Sequence, residues 1–182
     1  MEQTDHELRT LVEESKKGDG EGSRKLYEHL VDKVFPFVRY RTSTKEEALD
    51  TTQDVFIDFF STLPHFTYQS SAQLYAYVFV ITRRKLAKHY SARTKHPDQE
   101  VFNEENMSPH DAVYEQEMTR QSVLQALETL DELTREIVVL HHWSRHTFGE
   151  IALLLKMTES AVRVAHHRAL KKLKPHVDTT HI

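Results

Sequence analysis

A chain of 182 residues with 38% hydrophobic content has room for one domain or for two small helical ones. It has no cysteine, which excludes disulfides, Cys-ligated zinc and thiol nucleophiles together, and its four glycines and five prolines are too few for a turn-dense β fold. The net charge of -4 disfavours a nucleic-acid partner only as an average, because phosphate attraction acts within a Debye length of about 10 Å.

Resolved along the chain, the charge is blocked. Ile81 to His96, ITRRKLAKHYSARTKH, holds six Lys or Arg and no acid; Pro97 to Met118 holds seven Asp or Glu and no Lys or Arg; Ala161 to Val177 holds five Lys or Arg and no acid. Two basic runs around an acidic strap suit a phosphate-binding partner better than ordinary solvated faces do. No stretch approaches the roughly 18 to 20 apolar residues that span a bilayer, and MEQTDHELRT lacks the basic-then-apolar order of a signal peptide. The expectation is a soluble cytoplasmic protein with no membrane partner.

In chain order, Leu8, Leu11 and Val12 form a short helical stripe that ends at KKGDGEG. A second helix follows, with Ser23 placed to cap it, Leu26, Leu30, Val31, Val34 and Val38 along one face, and Pro36 expected to kink or fray its end. Thr44 and Glu47 make a capping box for a third helix, on which Ala48, Val55, Phe56, Phe59, Phe60 and Leu63 recur at helical spacing until Pro64. Ser70 and Gln73 make another, opening a fourth helix through Leu74, Tyr77, Val78 and Ile81 into the basic run. Residues 92 to about 111 lack apolar periodicity and read as a linker. Beyond it, Val123, Leu124, Leu127 and Leu130 mark one helix, and Leu133, Ile137, Val138 and Leu140 the next. Thr147 and Glu150 box a helix carrying Ile151, Ala152, Leu154 and Leu155, and Thr158 caps a last one carrying Val162, Ala165, Ala169, Leu170 and Leu173. The fold class expected is all-α, in two small helical domains joined by an acidic linker.

The last two helices, separated by KMT, read as a helix-turn-helix: Ala152 is small where the second helix crosses, and Glu159, Ser160, Arg163, His166, His167 and Lys171 are left on or near the outer face. An αα-hairpin with a basic surface is the plainer alternative, favoured by Lys156 at a turn position that commonly holds glycine. Thirteen histidines include His141, His142, His146, His166 and His167; without cysteine they read as surface positions or phosphate contacts, with no metal site. No phosphate-cradling glycine loop and no nucleophile with a nearby base is evident, so neither enzyme activity nor a cofactor is expected.

The segment LETLDELTREIVVLHHWSRHTFGEIALLLKMTESAVRVAHHRALKKLK resembles the fourth conserved region of bacterial sigma factors, and EALDTTQDVFIDFF followed by LYAYVFVITRRKLAKHY resembles the second. With only these two regions and a short connector, the chain is similar to the extracytoplasmic function (ECF) sigma factors. The resemblance implies a region 2 domain over 1–92, an acidic linker over 93–117 and a region 4 domain over 118–182. It implies core RNA polymerase (β′ clamp and β flap) and promoter DNA as partners. Asp50, Gln53, Asp54 and Phe56 then fall on the polymerase-docking helix, Tyr68, Ser70, Arg83, Arg84 and Lys88 on the side that melts and reads the minus-ten element, and Glu159, Ser160, Arg163, His167, Arg168 and Lys171 on the helix that reads the minus-thirty-five element. The chain departs from the family at Tyr77, usually tryptophan, at Arg84, usually asparagine, at Lys88, usually aspartate, and at Val164-Ala165, usually serine-arginine. A regulator that binds DNA through the helix-turn-helix alone, with residues 1–92 as a sensor, is the rival reading.

The docking helix of the family usually opens with an acidic cluster. Here Leu49 stands in place of one acid, and Thr51 and Thr52 follow Asp50. Phosphorylation adds about -1.5 to -2 charge and three acceptor oxygens. The expectation is therefore that a Ser/Thr protein kinase supplies the missing charge at Thr51, or else at Thr52, on the exposed face.

Overall fold

The computed structural model describes residues 2–95 and 123–174, mostly helical and with no strand among them. Most of the expected acidic linker lies outside the described residues. Helix α1 (Glu2–Lys16) turns back at Gly18, whose φ of 82° is a left-handed conformation cheap only for glycine. Helix α2 (Gly20–Arg39) is capped by Asp19, whose carboxylate accepts from the backbone amides of Glu21 and Gly22. Ser23, expected as the cap, instead lies inside the first turn and donates its hydroxyl to the Asp19 carbonyl. Pro36 does not end α2, which continues to Arg39. Helix α3 (Lys45–Thr62) starts at the expected Thr44–Glu47 capping box, and a short 3-10 turn at Leu63–His65 with the non-helical residues 66–70 leads into α4 (Ser71–Lys95).

Leu8 and Val12 of α1, Leu30 and Phe37 of α2, Phe59 of α3 and Phe79 of α4 meet in one core, excluded from water. Phe37 and Phe79 sit edge-on in it at 5.0 Å between centroids, an arrangement the ring quadrupoles favour.

In the second half a helical stretch over 123–128 precedes α5 (Glu132–His142), α6 (Phe148–Leu155) and α7 (Glu159–Leu173). Thr147–Glu150 boxes α6 and Thr158 caps α7, as expected. Lys156 ends α6 in the left-handed region at φ 55°, ψ 44°, so a lysine tolerates the strained turn that glycine usually fills, at about 1 kcal/mol. Leu133, expected on the inner stripe of α5, is exposed.

The two halves are packed on each other, α4 against α6 and α2 against α5. The His146 ring enters this junction edge-on to Tyr75 (5.4 Å) and Phe79 (4.9 Å), while Trp143 lies 4.6 Å from Tyr40. Lys33 Nζ donates to the Arg145 carbonyl at 3.0 Å, and Glu136 binds Arg83 at 2.6 Å and approaches Arg41 at 4.0 Å. His146 was expected at the surface. Placed between aromatic rings, it is buried, its Nε2 has no hydrogen-bond partner, and burial pushes its pKa down, which keeps it neutral.

Gly22 sets how closely α1 and α2 approach: a Cβ there would lie 2.7 Å from Glu14 Cβ. Gly22→Ala is expected to lower stability by about 1–3 kcal/mol through overpacking, despite alanine's better helix propensity. Urea unfolding measures it, and an unchanged or raised midpoint would contradict the packing described.

Candidate nucleic-acid interface

Helix α7 divides cleanly by face. Val162, His166, Ala169 and Leu173, at intervals of four, three and four, are buried, and this leaves Glu159, Ser160, Arg163, His167, Arg168 and Lys171 exposed on the other side. All six expected base-reading or phosphate-holding positions are therefore available. Arg163 is pre-oriented: its guanidinium bonds Glu159 at 2.5 Å and lies 4.8 Å from the centre of the Phe148 ring. His166, by contrast, turns inward, contrary to the outer-face expectation. Its Nε2 meets His142 Nε2 at 2.9 Å, and its ring packs edge-on to His141 at 4.9 Å. Burial and the like charge of His141, His142 and His167 hold its pKa down to about 4. No group of three or more His, Asp or Glu among the described residues is placed to hold a metal ion.

On α3 the exposed strip is formed by Leu49 (50% exposed), Asp50, Gln53, Asp54 and Ile57 (62%). Asp50, Gln53 and Asp54 stand where expected. Phe56 does not: it is a core residue, 4.6 Å edge-on from Tyr27, and the apolar component of the strip comes from Leu49 and Ile57, which the sequence reading did not select. Thr51 and Thr52 are also buried, at 7% and 3% exposure, contrary to the expected polar face. The reason is spacing: Ala48, Thr51, Thr52, Val55, Phe56 and Phe59 form one continuous stripe at helical intervals, packed between α2 and α4. Thr52 Oγ1 has no hydrogen-bond partner, and Thr52 borders a groove of about 620 Å³ between α2, α3 and the Trp143–Arg145 turn, lined also by Tyr27, Val31, Lys45 and Leu49.

The residues expected to face the minus-ten strand are mostly engaged. Tyr68 is buried, with its hydroxyl donating to the Asp5 carboxylate at 3.0 Å, so it is not available to stack on a base. Ser70 Oγ accepts from the Gln73 amide and caps α4. Arg83 donates to Glu136 and to the Leu154 carbonyl, both across the junction, and Arg84 pairs with Asp58 at 2.9 Å, as does Lys85. Lys88 is exposed. Asp5, Glu136 and Asp58 were missed in the sequence because each acts across more than 25 residues of chain, and no local spacing signals such a contact.

Residues 26–96 match the family model for Sigma-70 region 2 and residues 120–173 that for Sigma-70, region 4; together the matches span more than half of the chain. The chain belongs to the sigma-70 family. Its relatives are ECF members of that family, whose sigma factors direct transcription through RNA polymerase. The ECF RNA polymerase sigma factor BldN of Streptomyces coelicolor is 27% identical over 168 residues, covering 90% of this chain and 63% of BldN's length. The ECF sigma factor SigD of Mycobacterium tuberculosis is 29% identical over 180 residues, covering 93% of this chain and 84% of SigD. The solved structure of CnrH in complex with the cytosolic domain of CnrY has the same fold, with a TM-score of 0.71 at 21% identity over 96% of this chain and 99% of that one. No helix among the described residues is long and apolar enough to cross a membrane.

In this sigma-70 family member the His142–His166 contact ties α5 to the inner face of α7. His166's folded pKa lies below its unfolded value near 6.5, so the folded state binds fewer protons. The stabilising contribution is complete above about pH 6.5 and is lost as pH falls toward about 4. The urea midpoint is expected to drop over that window, and His166→Phe to flatten the drop. An equal pH slope in that variant would exclude the pair as its origin.

Proposed function

We propose that this chain is an alternative sigma factor that docks core RNA polymerase and brings it to a restricted set of promoters in the cytoplasm. The exposed strip Leu49, Asp50, Gln53, Asp54 and Ile57 meets the β′ clamp, and α7 reads the minus-thirty-five element while the second domain contacts the β flap. The loop before α4, with Lys88 and the cations of α4, handles the minus-ten strand. The observation that supports this most is α7 itself: a buried stripe fixes the helix on α5 and α6, and so leaves an outer face of Ser160, Arg163, His167, Arg168 and Lys171 with the spacing that a major groove accepts. Arg163→Ala is expected to cost about 1–3 kcal/mol of discrimination at one base pair, and Lys171→Ala to weaken all sequences alike and to lower the salt slope. Equal, sequence-independent losses at both would mean that the reading face is elsewhere.

A Ser/Thr kinase remains the proposed switch, with a changed mechanism. With Thr51 and Thr52 on the buried stripe, a phosphate of about -1.5 to -2 charge does not simply extend the exposed acidic strip. It cannot be desolvated there, so it would prise α3 from α2 and uncover the buried stripe of α3, Val55 and Phe56 among it. Thr52, bordering the groove with an unpartnered hydroxyl, is as good an acceptor on this geometry as Thr51. Run-off transcription with core polymerase tests both parts. Phosphorylated protein is expected to start transcripts at a subset of promoters, and the Thr51→Ala and Thr52→Ala proteins are expected to separate, one of them inactive. No transcript from any form returns the chain to the rival reading of a helix-turn-helix regulator; full activity of both alanine variants removes the switch.

A further inference from the structure

The loop between the 3-10 turn and α4 starts in extended backbone at Phe66, and its side chains alternate: Phe66 and Tyr68 are buried, Thr67 and Gln69 exposed. Its two ends are secured locally. Phe66 donates its amide to the Leu63 carbonyl and stacks on Tyr77 at 4.7 Å, and Gln73 accepts from the Gln69 amide while Ser70 caps the Gln73 amide. The middle is secured only from a distance. One carboxylate oxygen of Asp5, on α1, accepts both the Tyr68 hydroxyl at 3.0 Å and the Ser71 amide, the first of α4, at 2.6 Å, and the Asp5 carbonyl accepts the same hydroxyl at 3.1 Å. Arg9, one turn further along α1, places its guanidinium 5.6 Å from the Tyr68 ring centre.

We propose that Asp5 is the positioning residue of the strand-capturing loop: by gripping Tyr68 and the start of α4 it turns Thr67 and Gln69 outward, where they meet an unpaired base. In an extended chain successive side chains point to opposite sides, so a hold on Tyr68 fixes its two neighbours without touching them. The Ser71 amide in turn holds Asp5 ionised by lowering its pKa, and a carboxylate accepting two donors at once is a stronger tether than a neutral pair. The loop is therefore ordered before DNA arrives, and the entropy of fixing it is not charged to strand capture. Asp5 itself never contacts the strand. This inference rests on the promoter reading above.

The test uses the full chain assembled with core polymerase, and a promoter whose minus-ten element carries 2-aminopurine to report unpairing. Asp5→Ala is expected to bind polymerase and the closed promoter within about twofold of wild type but to open the promoter about tenfold more slowly, the scale of a lost charge-assisted hydrogen bond. Asp5→Asn, which keeps the accepting oxygen, restores most of the rate. Thr67→Ala with Gln69→Ala slows opening in the wild-type background and adds nothing in the Asp5→Ala background, a coupling that general destabilisation would not produce. Opening by Asp5→Ala within twofold of wild type, or additive losses, overturns the proposal. A wild-type holoenzyme that opens no promoter overturns the sigma reading itself, and the positioning role falls with it.

Discussion

A neutral imidazole holds the two halves of this molecule in register. His146 enters between Tyr75 and Phe79 of α4 from the turn between α5 and α6, with Nδ1 3.4 Å from the Glu150 carboxylate and the rest of the ring among carbon atoms. Once it is seated, the backbone on either side has little freedom: the Arg145 carbonyl faces Lys33, Trp143 lies on Tyr40, and Glu136 reaches Arg83. Arg145 takes a left-handed φ of 53° to make that turn, a strain of about 1 kcal/mol that the junction contacts sustain. A charged imidazole in the same place would lack a partner for its second N–H, so the seat exists only for the neutral form.

The junction divides the basic surface unequally. The outer face of α7 remains open, whereas Arg83, Arg84 and Lys85 of α4 are all paired with carboxylates of this same chain. The basic run Ile81 to His96, which reads in the sequence as a surface for phosphate, is thus partly an internal charge balance. Ion pairing leaves the net charge of -4 unchanged, and that sum does not describe the open outer face of α7, so the acidity of the chain is not evidence against a phosphate partner.

Most helix starts are legible in the sequence because cap and partner lie within one turn. Thr44, Thr147 and Thr158 cap their helices as their spacing predicts, and the inner stripe of α7 is visible in Val162, Ala169 and Leu173. Asp19 was overlooked because three glycines around it look like a loop, although its carboxylate offers what a helix start requires. Thr51 and Thr52 were misplaced for a different reason: threonine counts as polar, yet its position at three and four residues from Ala48 and four and three from Val55 puts both on the buried stripe, and position outranks hydropathy here. Phe56 and Tyr68 look in the sequence like contacts for partners, whereas both are packed inside. The junction could not be read at all, since neither His146 nor Glu136 differs in pattern from an ordinary surface residue until α4 is laid beside them.

Asp58 gives the molecule a form of internal competition. Its two oxygens are shared between Arg84 and Lys85 of α4, while the carboxylate itself lies on α3 next to Ile57 of the exposed strip and one turn beyond Asp54, which Lys85 also approaches at 4.0 Å. A positively charged surface brought against α3 must contend with these two side chains for the same oxygens. Whatever it wins releases cationic charge on α4 toward solvent, and by thermodynamic reciprocity a polyanion that draws Arg84 and Lys85 away leaves α3 more attractive to that surface. Two such contacts on different helices, made with partners of opposite charge, would thereby be coupled through one carboxylate.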